Sequence, residues 1–334
     1  MLYDTYIYTD NEHRTTKIMK ILCIGEALID MICTDHGSTL AEGENFIKKT
    51  GGAPTNVAAA IGALGGEVAI AAHVGPDPFG ALLIKTMKDF NVFTEFMSVD
   101  AEKFTTLAFV SLLNDGGRDF YFNRGADAEL PESLVDAIDF SQYKIIHFGS
   151  ATAFLPGTLQ KTYYAMLNKA LQNNCYVSFD PNYRSALFEN DKPTFIAHSE
   201  AFIKHSHFFK VSDEEAMLIT HTTDLDTAVA ELEKMSDATF VITLGKDGAL
   251  LRHGENKITV ETLPVKSIDS TGAGDAFVGA VLMQLTKMFT NDSYEVPLLE
   301  WKKIVGRANY VGAQTCTHFG AMEAFKHLDK SMLG

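Results

Sequence analysis

The chain has 334 residues, 46% of them hydrophobic, which suffices for one large α/β domain or two ordinary ones. A net charge of −15 argues against a nucleic-acid or membrane-surface partner, and no apolar run approaches the ~20 residues of a membrane span. Four widely spaced cysteines, Cys23, Cys33, Cys175 and Cys316, form no Cys-x-x-Cys pair and read as free thiols of a cytoplasmic protein.

Residues 1–18 are polar and aromatic, lack a signal-peptide core, and read as an N-terminal extension. Ile21-Leu22-Cys23-Ile24-Gly25 has the form of a buried parallel strand. Asp30 is expected just past that strand, where open α/β sheets bind ligands; its plain alternative is a surface turn. Gly51-Gly52-Ala53-Pro54-Thr55-Asn56 leads into an alanine-rich, apolar helix from Val57 to Leu64. Pro54 suits a first helical turn, the glycine pair permits close approach of a ligand, and Asn56 offers both a donor and an acceptor.

From Thr105 to Leu113 the sequence is rich in β-formers. Asn114-Asp115-Gly116-Gly117 is a hairpin turn, and Arg118 to Asn123 is the returning strand. This hairpin interrupts an alternation of strands and helices, which predicts a small β-lid built from about 31–50 and 97–125. Arg124, at its end, either reaches a substrate or is a solvated charge.

Lys144 to Gly149 and Tyr176 to Asp180 read as further buried strands, with a helix over Leu159–Gln172 between them. Asp180-Pro181-Asn182-Tyr183-Arg184 places polar residues after a strand, or forms a proline turn with an Asp–Arg surface pair. After the strand His207–Val211, Ser212 and Glu215 have capping-box spacing. Phe240 to Leu244 is a strand, followed by a turn through Gly245 and Gly248. Asn291-Asp292-Ser293 is a glycosylation sequon by pattern alone, and Ile304–Thr317 is a helix carrying Asn309.

Between these last elements, Asp269-Ser270-Thr271-Gly272-Ala273-Gly274-Asp275 runs straight into the apolar segment Ala276–Met283. Glycines at a helix N-terminus, where backbone N–H groups lack intrahelical partners and the dipole is positive, make an anion site. Asp275 beside that site would be a stable anion suited to general-base work. An N-capped helix with glycines for close packing is the plain alternative. The stretch is neither a P-loop nor Gly-x-Gly-x-x-Gly.

The stretch 269–277 resembles the C-terminal signature of the ribokinase-like (phosphofructokinase-B type) sugar kinases, with Ser270 replacing a threonine. Gly51-Gly52-x-x-x-Asn56 with its alanine-rich helix, and His73-Val74-Gly75-Pro76-Asp77-Pro78-Phe79-Gly80, resemble the N-terminal signature of the same family. The resemblance spans roughly residues 20–325. It implies a single kinase domain over 19–330 with a doubly wound, mostly parallel sheet and the inserted β-lid, which would also mediate a homodimer.

It further implies ATP and Mg2+ as cofactors, with Asp275 as base and Gly272, Ala273 and Gly274 as the anion hole. Asp30, Gly51, Gly52, Asn56, Arg124 and Arg184 would surround the sugar. Ser212, Glu215, Thr243, Gly245, Gly248 and Asn309, together with Gly272 and Gly274, would border the nucleotide, Glu215 holding magnesium through water. Asp269, Thr271 and Gly320 would hold a monovalent cation, K+. The expected reaction is phosphorylation of D-fructose to fructose 6-phosphate. Alternatives are a 2-keto-3-deoxygluconate kinase and a sugar-binding regulator without catalysis. A Rossmann dehydrogenase is disfavoured because no Gly-x-Gly-x-x-Gly follows the first strand.

Overall fold

A computed structural model describes residues 21–114, 117–289 and 293–334. The extension 1–18, the turn tip Asp115-Gly116 and Asn291-Asp292 of the sequon lie outside the described residues. In chain order the first strands are β1 (Ile21–Ile24), β2 (Leu28–Cys33), β3 (Phe46–Gly51), β4 (Val68–Val74), β5 (Phe93–Val99), β6 (Leu107–Leu112) and β7 (Arg118–Asn123). The remainder are β8 (Ile145–Phe148), β9 (Tyr176–Phe179), β10 (Phe208–Ser212), β11 (Thr239–Thr243), β12 (Ala249–His253) and β13 (Asn256–Val260).

Continuous apolar runs make strands buried on both faces. β1, β4, β8 and β9 are buried at every position. They belong to a nine-stranded sheet of order β13-β12-β11-β10-β9-β8-β1-β4-β5, parallel from β5 through β11. β12 and β13 close one edge as antiparallel strands. After β1 the chain builds β4 and β5 on one side, then β8 to β11 on the other. That reversal puts a crevice at the carboxyl end of β1, where doubly wound sheets bind ligands.

The helices are α1 (Ala53–Ala63), α2 (Pro78–Asp89), α3 (Ser133–Ala137), α4 (Thr158–Gln172), α5 (Ser185–Phe188) and α6 (Lys192–His205), followed by α7 (Asp213–Thr220), α8 (Leu225–Met235), α9 (Ala273–Met288), α10 (Leu298–Thr315) and α11 (Ala321–Phe325). Side chains of α1, α2, α9, α10 and α11 fill the core on one face of the sheet. Those of α3 to α8 fill the other. α1 is buried from Ala53 to Gly62, as its apolar circumference requires, and packs along α9. The helix expected over Ala276–Met283 is longer, because its first turn begins at Ala273 inside the glycine motif.

A second sheet, of order β3-β2-β6-β7, stands over the crevice as the lid. Two boundaries differ from expectation. The lid begins at Leu28, so Asp30 lies inside β2 instead of in a loop after β1. Residues 97–99 belong to β5 of the main sheet, since Met97 to Val99 pair with Ala72 to Val74. The strand period of two divides the lid's side chains between its faces. One row is Lys49, Asp30, Ala108 and Phe122; the next row on the same face is Ile47, Ile32, Val110 and Phe120. Phe109 pairs with Tyr121 on the opposite face, so it does not join Phe120 and Phe122 in one apolar surface.

Candidate active site

Four elements converge at the switch point: the N-termini of α9 and α1, and the ends of β9 and β10. Gly272 caps α9 with φ 80°, and no side chain caps the helix. A β-carbon at Gly272 would stand 2.5 Å from that of Ala321, so glycine serves both conformation and space here. Among the described residues the amides of Gly274 and Asp275 have no acceptor, which leaves them directed at the crevice. Asp275, 7% exposed, accepts a 2.8 Å hydrogen bond from Asn56 Nδ2 in the first turn of α1. Asn56 Oδ1 is buried without a partner among the described residues and can accept from a hydroxyl donor.

The helix N-terminus alone was expected to keep Asp275 ionised at low pH. The balance is different: burial pushes its carboxyl up, against the Asn56 hydrogen bond and the charges of Arg184 and Lys210. Asp30, half-buried on β2, is pushed up to about 7 by desolvation; Arg184 opposes the rise, and Glu26 and Asp275 add to it. A β-carbon at Gly51 would fall 2.1 Å from Asp30 Oδ2, so the Gly51-Gly52 turn gives the carboxylate its space. Arg184 is exposed at the rim, and its charge reaches both Asp30 and Asp275.

Other expected site residues have local duties. The guanidinium of Arg124 donates to Asp127, Pro156 O and Thr152 O, which ties the lid's end to the 150s loop. Ser212 and Glu215 form the capping box of α7, and Glu215 Oε1 also accepts from Tyr183 N. Thr243 donates to Val211 O at the end of β11, and Gly245 opens on free space beside it. Gly248 belongs to the β11–β12 hairpin: a β-carbon there would strike Val260 O at 2.2 Å. Both amide donations of Asn309 go to the chain leaving β13, at Val260 O and Glu261 O. Asp269 and Gly320 are brought together, with Asp269 accepting from Thr271 N, Thr271 Oγ1 and Gly320 N.

Three buried charges escaped the sequence reading. Glu26, 1% exposed, accepts from Ala53 N, Ser150 Oγ and Ala151 N, and so joins β1 to the start of α1 and the loop after β8. Asp180 and Lys210 form a buried ion pair at 3.1 Å beneath α9, so the plain alternative of an Asp180–Arg184 surface pair does not hold. An acid directly after the β1 glycine and a lysine inside the apolar strand Phe208-Phe209-Lys210-Val211 are the signals that could have found them.

Burial pushes Glu26 from 4.5 up to about 7, against its hydrogen bonds from Ser150 and Ala53. Between those values the folded protein holds a proton that the unfolded chain has released, so stability falls as pH rises through that window. Glu26→Gln keeps an acceptor for Ala53 N without the charge. It is expected to raise the melting temperature at pH 8.5 and to change it little at pH 4.5, measured by scanning calorimetry.

The family is established by comparison with known proteins. Residues 19–328 match the model of the pfkB family of carbohydrate kinases, and the chain belongs to that family. Within it, the probable fructokinase-5 of Arabidopsis thaliana is 34% identical over 307 residues, covering 91% of this chain and 93% of the relative. Fructokinase-2 of Zea mays is also 34% identical, over 91% of this chain and 90% of its own. Among solved structures, the fructokinase of Xylella fastidiosa with bound ATP superposes with a TM-score of 0.80 at 28% identity, over 94% of this chain and 96% of that one. A fructokinase double mutant from Vibrio cholerae, bound to fructose, ADP and potassium, gives 0.80 at 28% over 96% and 98%. The doubly wound sheet with its lid is thus the ribokinase-like fold. Among the described residues no helix is long and apolar enough to cross a membrane.

Proposed function

We propose that this carbohydrate kinase transfers the γ-phosphoryl group of ATP to a primary hydroxyl of D-fructose, giving fructose 6-phosphate. The observation that carries this reading is the buried Asn56–Asp275 pair at the uncapped N-terminus of α9. A buried carboxylate, an acceptor without a partner among the described residues, and backbone N–H groups without acceptors there lie side by side, which supports the reading.

Asp275 takes the hydroxyl proton as the new O–P bond forms. The bond from phosphorus to the bridging oxygen breaks, and ADP leaves with its electron pair. The amides of Gly274 and Asp275 face the charge that spreads over the equatorial oxygens, whereas Ala273 N, expected in the same anion hole, donates to Ser270 O at 3.2 Å. Asp30, the Gly51-Gly52 turn and Asn56 Oδ1 hold the sugar hydroxyls, and the lid excludes water that would otherwise accept the phosphoryl group.

Bound with the nucleotide, magnesium would supply positive charge against the phosphates. Among the described residues no three acidic, histidine or cysteine side chains cluster as a metal cage, which fits an ion carried by the triphosphate and met through water. Both oxygens of Glu215 hold backbone N–H groups. Glu215 would meet that ion through water, as the resemblance implies. Asp269, Thr271 and Gly320, gathered by the Gly320 N to Asp269 hydrogen bond, would hold potassium.

A coupled assay of ADP release across fructose, ribose, 2-keto-3-deoxygluconate, adenosine and fructose 6-phosphate tests the reading. Fructose is expected to give the highest kcat/KM, and no sugar-dependent release at all would refute it.

The lid supports a second expectation. The row Ile47, Ile32, Val110 and Phe120 lies outboard of Asp30, with Ile47 45% and nearby Leu112 51% exposed. An apolar sheet face of this kind is suited to a second copy of itself. Sedimentation at micromolar concentration is expected to show a dimer, and Ile47→Lys to shift it toward monomer.

A further inference from the structure

Lys210 is in the wrong place for an ordinary lysine. On β10 the side chains of Phe208 and Lys210 share the face turned toward α9, and Phe209 and Val211 point into the opposite core. The lysine side chain is 8% exposed and that of Asp180 is fully buried. A buried ion pair stabilises a fold weakly compared with a well-packed apolar pair, so stability alone does not account for it. Burial works to strip the proton from Lys210, but Asp180, then Glu215 and Asp275, outweigh it and hold the ammonium charged.

Two geometric facts give this charge a direction. A β-carbon built on Gly274 would lie 3.3 Å from Lys210 Nζ, so the ammonium rests against the first turn of α9 where a side chain would otherwise stand. The ammonium has three donors, and among the described residues its hydrogen bonds all go to one carboxylate, at 3.3 and 3.1 Å. At least one N–H is therefore uncommitted beside the free amides of Gly274 and Asp275. His147, on the same face of β8, is held down to about 3 by burial and by Lys210, so it adds no second charge to the layer.

We propose that Lys210 is a further catalytic residue: its ammonium, anchored by Asp180, donates to the γ-phosphoryl group that the Gly272–Gly274 turn receives. No bond to nitrogen forms; the lysine supplies fixed positive charge from below while the helix amides supply it from the side. Asp180 positions Lys210 and touches no substrate. The inference rests on the kinase reading above but not on which sugar is the acceptor.

The test compares the binding of ATP with that of ADP, each with Mg2+ and without sugar, by titration calorimetry. Lys210→Met leaves Asp180 as a lone buried carboxylate and endangers the fold. The double variant Asp180→Asn/Lys210→Met removes both charges together and is the principal probe. It is expected to weaken ATP binding by ~10–100-fold, the loss of one charge-assisted hydrogen bond, with ADP affinity within about twofold of wild type. Lys210→Arg, which keeps the charge and a donor, should retain most of the wild-type preference for ATP. A folded double variant whose ATP-to-ADP affinity ratio equals that of wild type overturns the proposal. So does a wild type that shows no preference for ATP. Failure of the sugar assignment looks different: wild type binds ATP preferentially yet turns over no sugar of the panel.

Discussion

Replacing Asp275 by alanine is expected to lower kcat by ~10²–10⁴, the usual consequence of losing a general base, while ATP affinity changes little. The carboxylate accepts from Asn56 and lies one residue beyond the glycine turn; in the proposed reaction it meets the acceptor hydroxyl and not the nucleotide. Asp275→Asn is the cleaner variant because it nearly preserves volume and can still bond Asn56. Loss of turnover in both variants, with melting temperature retained, assigns the effect to chemistry.

The pH dependence has a definite sign. Burial raises the pKa of Asp275, and a base works only when ionised. Activity should therefore fall as pH drops through that raised value, with an acidic limb displaced upward from the ordinary carboxylate range. Near-normal kcat in Asp275→Asn, or an acidic limb as low as that of a free carboxylate, would remove Asp275 from the mechanism.

Much of this site was legible because its geometry is local. The glycines at 272 and 274, the acid at 275 and the asparagine one turn into α1 sit where short-range rules place them: at helix starts, next to apolar runs. The alternation of apolar strands with amphipathic helices gave the doubly wound sheet for the same reason.

Long-range pairing was not legible. Nothing near Lys210 in sequence shows that Asp180 lies on the neighbouring strand, or that Gly274 comes down on top of it from 64 positions away. The partners of Arg124 and Asn309 were hidden for a related reason: each donates to backbone carbonyls that only the folded chain brings within reach, which for Asn309 agrees with the buried capping role that the sequence also allows. The displacement of Asp30 into β2 came from a strand too short to separate from its predecessor by pattern, since only three residues divide β1 from β2.

Replacing Asp30 by asparagine is expected to lower kcat/KM for fructose by ~10–100-fold, the loss of a hydrogen bond to an ionised acceptor, and to leave 2-keto-3-deoxygluconate unharmed or improved. Asp30 lies in one lid row with Lys49, Ala108 and Phe122, and its Oδ2 fills the space above Gly51. From there it feels the charge of Asp275. When ionised it only accepts, so it pairs with ring hydroxyls and repels a carboxylate.

Burial raises the Asp30 carboxyl most; among the charges Arg184 acts most strongly and lowers it, while Glu26 and Asp275 raise it. The discrimination against an acidic sugar is therefore expected from the Asp30 carboxylate itself. Because Asp30 is raised to about 7, the comparison belongs at pH 8.5, where the carboxylate is formed and discrimination should be greatest. At pH 6 most of the population is protonated and the preference for fructose should narrow. A site built to bond a hydroxyl also penalises an analogue that lacks it, which adds to the charge effect against 2-keto-3-deoxygluconate. A wild type that prefers the acidic sugar at pH 8.5 would reverse the assignment of substrate while leaving Asp275 and the α9 anion hole in their roles.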